Sequence, residues 1–156
     1  VLVAADEFRS APFIGWLGRA LQTVWVRRKC PLSRSRVRET VVRKVKEGTS
    51  VFVFPEGQTT GAHAVQEVKP GLFRTAVEES LPIAFLSIRY SNPAPFYFHT
   101  MGPGFFRDWL RHAWHVLCQP QLGVVLKVSV PMFYSSPEQA QEAFYAFHQR
   151  HLRRAA

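Results

Sequence analysis

Residues 51–60 read VFVFPEGQTT: four apolar residues run directly into Pro-Glu-Gly and then into amide and hydroxyl side chains. A carboxylate at the end of an apolar strand is suited to accepting hydrogen bonds from a ligand's hydroxyls. The neighbours support that use. Phe54 is expected to anchor the strand end in the core. Pro55 stops the strand ladder because it has no amide donor. Gly57 lets the backbone turn sharply or approach a ligand closely. Glu56 is then held on a rigid neck. The plainer alternative is an ordinary strand-to-loop turn with a solvated glutamate.

Other residues with chemical potential are more dispersed. Residues 27–46 hold nine basic side chains and one glutamate. Such a run either coats a solvated helix face or attracts an anionic surface. His112 and His115 share a helix face at i,i+3 spacing, but no third ligand accompanies them, so no metal site is expected. Cys30 and Cys118 have neither metal-ligand spacing nor the number needed for a disulfide framework, which suits a reduced, cytosol-facing setting.

These residues need a scaffold, and the apolar patterning supplies one. Residues 1–5, 23–26, 51–54, 82–90, 96–100 and 122–130 read as strands, being β-branched, aromatic or continuously apolar. The 51–54 run has the composition of a strand buried on both faces of a sheet. Helices are expected over 11–21, 35–48, 69–80, 105–117 and 136–152. In the first, Phe13, Trp16, Leu17, Ala20 and Leu21 fall at helical spacing. In the second, Val37, Val41 and Val45 form a stripe and Gly48 provides a stop. In the fourth, Phe106, Leu110, Ala113 and Leu117 share one side. The last opens with Ser136, Pro137 and Gln139, a capping-box pattern.

Strands alternating with helices imply one α/β domain over residues 1–156, with a mainly parallel central sheet flanked by helices. Ligands of such sheets sit beyond the carboxyl ends of the strands, which is where Glu56 falls. The chain has 156 residues and a net charge of +9, suited to a membrane surface, a phosphorylated small molecule or a nucleic acid. No helix-turn-helix, finger or RNP pattern is present, so nucleic acid is not the expected partner. No run reaches the ~18 uninterrupted apolar residues of a membrane-spanning helix. The sequence begins VLVAADEF, without an initiator Met and as if already inside a strand. It is therefore read as the C-terminal portion of a domain incomplete at its N-terminus.

FPEG after an apolar strand resembles the third sequence block, F-P-E-G-T-R-S, of the glycerolipid acyltransferases of the lysophosphatidic acid acyltransferase (PlsC-like) family. Neighbouring blocks fall in order. PFIGWLGRALQTVWVRR resembles the family's P-F-x-G-W…G-x-x-F-x-x-R stretch and puts Arg28 on its basic position. VKPGLFRTAVEESLPIAFLSIRY resembles K-x-G-x-F-x-x-A…P-I-x-P-V-x-I, with Lys69, Gly71, Phe73, Ala76, Pro82 and Ile83 matching. LRHAWHVLCQPQLGVVLKVSVPM is similar to the closing helix and strand. The resemblance covers most of the chain.

That resemblance implies transfer of a fatty acyl group from an acyl thioester, on coenzyme A or acyl-carrier protein, to a lysophospholipid hydroxyl. No cofactor is implied. Phe54, Pro55, Glu56, Gly57, Gln58 and Thr59 would form the acceptor-binding block, with Lys69 and Pro82 beside it and Arg28 on the acceptor's anionic head. It also implies association with the cytoplasmic face of a membrane, and a catalytic His upstream in an N-H-x-x-x-x-D block.

Four departures matter. None of the six histidines, His63, His99, His112, His115, His148 and His151, has Asp five residues on. The catalytic pair is therefore expected upstream of Val1, and residues 1–156 alone are expected to be inactive. Gln58 and Thr59 replace Thr-Arg, which leaves room for an acceptor other than lysophosphatidic acid. Arg27 stands where the family often has Asp, and Phe85 where it often has Pro. A non-catalytic member that binds lipid or a partner is the alternative reading. With a segment missing, residues 1–5 or the 11–21 helix are expected to be exposed.

Overall fold

The computed structural model describes every residue except Pro12, Arg28, Lys29, 58–66, 91–104 and 153–156. The chain forms two compact units. One comprises Val1–Pro55 and Pro70–Leu81, the other Glu56–Lys69 and Pro82–Ala156.

The first unit carries β1 (Val3–Ala5), α1 (Ile14–Ala20), β2 (Val24–Val26), α2 (Pro31–Lys46) and α3 (Gly71–Glu78). β1 and β2 pair in parallel, with Ala4 opposite Trp25. On its other edge β1 meets the 51–54 segment in a single parallel bridge between Leu2 and Phe52. The amide of Val3 donates to the Phe52 carbonyl at 2.9 Å, and the amide of Phe52 to the Val1 carbonyl at 2.8 Å. Successive residues of a strand present their amides and carbonyls to opposite edges, and the Leu2 carbonyl accordingly accepts from Val24. β1 therefore separates β2 from the 51–54 segment.

One expectation is corrected here. The 51–54 run is not buried on both faces: Phe52 is 53% and Phe54 64% exposed, while Val51 and Val53 are half-buried. Its residues alternate in size, and the pleat sends both rings outward. Phe54 thus does not anchor the strand end in the core. On α1, the expected apolar stripe also faces out. Phe13, Trp16, Leu17 and Leu21 are each at least half exposed. The buried residues are Gly15 and Gly18. A Cβ at Gly18 would fall 2.5 Å from the Trp25 ring, and one at Gly15 would collide with the Arg9 carbonyl. Close backbone packing selects the small-residue face of this helix, which leaves the large side chains outside. Exposure of the 11–21 helix is as expected, whereas residues 1–5 are half-buried or buried.

α2 follows its sequence pattern. Val37 and Val41 are buried while Arg34, Arg36, Arg38, Arg43 and Lys46 are exposed. It ends in a Schellman turn: Gly48, at φ +83°, donates to the Val45 carbonyl, and Thr49 donates to that of Lys44. Lys46 Nζ lies 2.6 Å from Glu79 Oε2, an ion pair between α2 and the end of α3. Arg27 pairs with Asp6 at 3.0 Å. The Arg27 side chain is 74% exposed, so the pair is worth at most about 1 kcal/mol.

The second unit carries β3 (Leu86–Tyr90), α4 (Phe105–Leu117), β4 (Val124–Val128) and α5 (Pro137–Leu152). β3 and β4 pair antiparallel, with Ile88 opposite Leu126, and a bridge from Ile83 to Met132 extends the contact. Both small sheets belong to an α/β fold, with parallel pairing in the first unit and antiparallel pairing in the second. The expected strand at 96–100 lies outside the described residues. On α4, Leu110 and Leu117 remain exposed rather than buried. The core of the unit is aromatic. Phe85 packs against Phe144 at 5.7 Å, Phe147 at 5.9 Å and Tyr134 at 6.0 Å between ring centroids. Burial pushes the Tyr134 phenol above its ordinary pKa. α5 starts as its sequence requires: the Gln139 amide donates to Ser136 Oγ, and the Gln139 side chain accepts from the Ser135 amide. Among the described residues, no helix is long and apolar enough to cross a membrane.

Candidate acceptor-binding site

Phe52 carries the chain parallel to β1 and Pro55 ends the pairing, so the next residues leave the sheet at a carboxyl end. There, Pro55 and Glu56 form a turn that leads into Gly57, and all three are half-buried. Gly57 has φ +66°, a left-handed conformation that favours glycine. Lys69 lies over this turn. A Cβ on residue 57 would stand 3.3 Å from Lys69 Nζ and 3.5 Å from Cε. One glycine is therefore flanked by a carboxylate in sequence and by an ammonium in space. The absence of a side chain at 57 is what lets the lysine stem come so close.

The approach of Lys69 is set by the residue before it. Val68 is 3% exposed. Its amide donates to the Tyr145 hydroxyl at 3.0 Å, and Gln141 Nε2 donates to its carbonyl at 3.4 Å. Gln141 and Tyr145 are one turn apart on α5 and so share a face. Neither stands out in the sequence. Their only signal there is i,i+4 spacing of two polar side chains on a helix otherwise marked by Phe144 and Phe147.

The other expected site residues divide. Glu56, Gly57 and Lys69 are brought together. Pro55 precedes them as the strand terminator. Phe54 is exposed rather than packed in the core. Pro82 is exposed and begins the connection into β3. Arg28, Gln58 and Thr59 lie outside the described residues.

The described histidines do not form an acid–base pair with a carboxylate. His148 has Nδ1 2.8 Å from the Phe144 carbonyl oxygen and Nε2 3.3 Å from that of Leu86. His151 Nδ1 contacts the Phe147 carbonyl, and His115 Nε2 contacts Gln119. Three of these contacts join residues four apart along the chain, and the His148–Leu86 contact ties α5 to β3. Among the described residues, no group of three His, Cys, Asp or Glu is arranged to hold a metal ion.

Gly57→Ala tests the turn. Placing an L-residue at φ +66° costs about 1–2 kcal/mol, and the new methyl group must also push Lys69 aside. The variant should lose that much unfolding free energy in urea. No measurable loss would mean that the turn does not hold this conformation.

The Acyltransferase family profile matches residues 1–89. The chain is 33% identical over 145 residues to human lysophospholipid acyltransferase LPCAT4, covering 90% of this chain and 26% of that protein. It is 30% identical over 156 residues to lysophosphatidylcholine acyltransferase 1 of Rattus norvegicus, covering 97% of this chain and 28% of that protein. It thus spans about a quarter of the length of these relatives. Its fold is similar to the crystal structure of PlsC, the 1-acyl-sn-glycerophosphate acyltransferase of Thermotoga maritima. The TM-score is 0.61 at 21% identity, over 99% of this chain and 56% of that one. This likeness establishes a shared architecture, and the profile match reaches through the strand-end turn and Lys69 to the end of Arg89. The chain belongs to the acyltransferase family.

Proposed function

We propose that the chain supplies the acceptor-binding portion of an enzyme that transfers a fatty acyl group from a thioester to the hydroxyl of a lysophospholipid. The observation that carries this reading is the Pro55–Gly57 turn with Lys69 laid across it, in a chain of the acyltransferase family. Glu56 accepts from the acceptor's hydroxyls and orients the one that reacts. Lys69, with Arg28, meets the acceptor's anionic head. The acceptor hydroxyl passes its proton to a histidine of an H-x-x-x-x-D pair, which these residues do not contain. The hydroxyl oxygen then attacks the thioester carbonyl carbon. The C–S bond breaks, the ester forms, and the departing sulfur takes the proton back as a thiol. The donor is acyl-coenzyme A or acyl-carrier protein, and no cofactor takes part. The reaction occurs at the cytoplasmic face of a membrane, whose anionic lipids attract the exposed arginines and Lys46 of α2.

The test is acceptor-dependent thiol release by the full-length enzyme from an acyl-coenzyme A or acyl-carrier protein, with lysophosphatidic acid or lysophosphatidylcholine and mass-spectrometric identification of the ester. Binding of these lipids with no thiol release from either donor would favour a non-catalytic lipid-binding member of the same fold. Within this assay, Arg28→Ala should raise the acceptor's KM about 10- to 100-fold and leave the donor's unchanged, as expected for one lost charge-assisted contact. Equal effects on both substrates would remove Arg28 from acceptor recognition.

A further inference from the structure

We infer that Tyr145 is a positioning residue for the acceptor site, acting through Val68 on Lys69. The inference rests on the proposed acceptor role of Lys69 and extends the site to α5, a helix beyond the 1–89 segment that the family profile matches. Both polar backbone atoms of the buried Val68 are satisfied by side chains of α5: the amide by the Tyr145 hydroxyl, the carbonyl by Gln141. Lys69 is the next residue, and its stem crosses Gly57 within contact distance. A flexible lysine side chain on an exposed loop would otherwise sample many positions. Here its starting point is fixed by two hydrogen bonds to one helix face.

The helix is itself fixed. Ala140 and Phe144 of α5 are buried, and Phe144 stacks edge-on against Phe85. The Phe144 ring also meets the Tyr145 ring at 5.7 Å and 79°. The chain of support thus runs from the aromatic core, through α5 and the Tyr145 hydroxyl, to Val68 and the ammonium over the turn. Loss of the hydroxyl leaves the Val68 amide buried with no acceptor, so the segment must shift to find water. The expected result is a displaced Lys69 in a folded protein, because Tyr145→Phe keeps the ring.

Two measurements on the full-length enzyme decide this. The first is hydrogen exchange of the peptide spanning residues 67–69, which should be faster in Tyr145→Phe and in Gln141→Met than in the wild type. The second is a double-mutant cycle on acceptor KM. Tyr145→Phe should raise that KM about 3- to 10-fold with donor KM and kcat unchanged, and should add nothing in a Lys69→Gln background. Unchanged exchange, or effects of Tyr145→Phe and Lys69→Gln that simply multiply, would overturn the inference. Faster exchange with acceptor KM unaltered would also overturn it, leaving Tyr145 a structural tether alone. A wild-type enzyme with no acceptor-dependent transfer would instead defeat the proposed function, and with it the role assigned to Tyr145 in acceptor binding.

Discussion

Phe85→Ala should lower the unfolding free energy by about 3–5 kcal/mol, the range for removing a large aromatic side chain from a packed core. Phe85 is 5% exposed and touches the rings of Phe144, Phe147 and Tyr134. Truncation deletes the ring's buried area and also leaves a cavity that three other rings must collapse to fill. The backbone at this position adds a second term. The Phe85 amide donates to Ser129 Oγ at 2.8 Å, and the Phe85 carbonyl accepts from the Ser129 amide. Phe85→Pro, which restores the residue common in the resembling family, should be at least as damaging as alanine because it also removes that donor. Urea unfolding followed by far-UV circular dichroism measures both. A loss under about 1 kcal/mol for Phe85→Ala would show that the aromatic cluster does not hold the second unit together.

Residues 1–156 alone should transfer acyl groups about 10²- to 10⁴-fold more slowly than a longer chain that supplies an H-x-x-x-x-D pair, the usual contribution of a positioned general base. That factor corresponds to roughly 3–5 kcal/mol of barrier. The described histidines are engaged in helix and strand contacts, with His148 facing carbonyl oxygens on both ring nitrogens. Of the two aspartates, Asp6 pairs with Arg27, and Asp108 lies five residues after no histidine. The check is thiol release from acyl-coenzyme A in the presence of lysophosphatidic acid. Equal turnover by the two chains would place the base within residues 1–156.

Much of the scaffold is legible in the sequence where local chemistry decides it. The valine stripe of α2, its glycine stop and the Ser136–Gln139 cap of α5 all form as their residue types require. Helical periodicity in α1 is legible too, but not the face it buries. Large apolar residues ordinarily mark the inner face, whereas here Gly18 packs on the Trp25 ring and inverts the choice. The partner of the 51–54 segment is a strand about fifty residues earlier, and neither hydrophobicity nor turn chemistry reports which neighbour it takes. At the site, Glu56, Gly57 and Lys69 are legible as motif residues. Tyr145 and Gln141 are not, because their role is a hydrogen bond to a backbone far away in sequence, which carries no side-chain signature.

The central claim is that the Glu56 carboxylate, held at the strand-end turn, orients the acceptor hydroxyl. Glu56→Gln in the full-length enzyme tests it most directly, because the amide keeps the size of the side chain and removes its charge. The steady-state rate should be measured against acceptor concentration at saturating acyl-coenzyme A, beside a urea unfolding curve for each protein. Loss of a hydrogen bond to a charged group predicts a fall of about 10- to 100-fold in kcat/KM for the acceptor, with the unfolding midpoint unchanged. Wild-type kcat/KM in the glutamine variant would contradict the account and leave the FPEG turn a structural feature only.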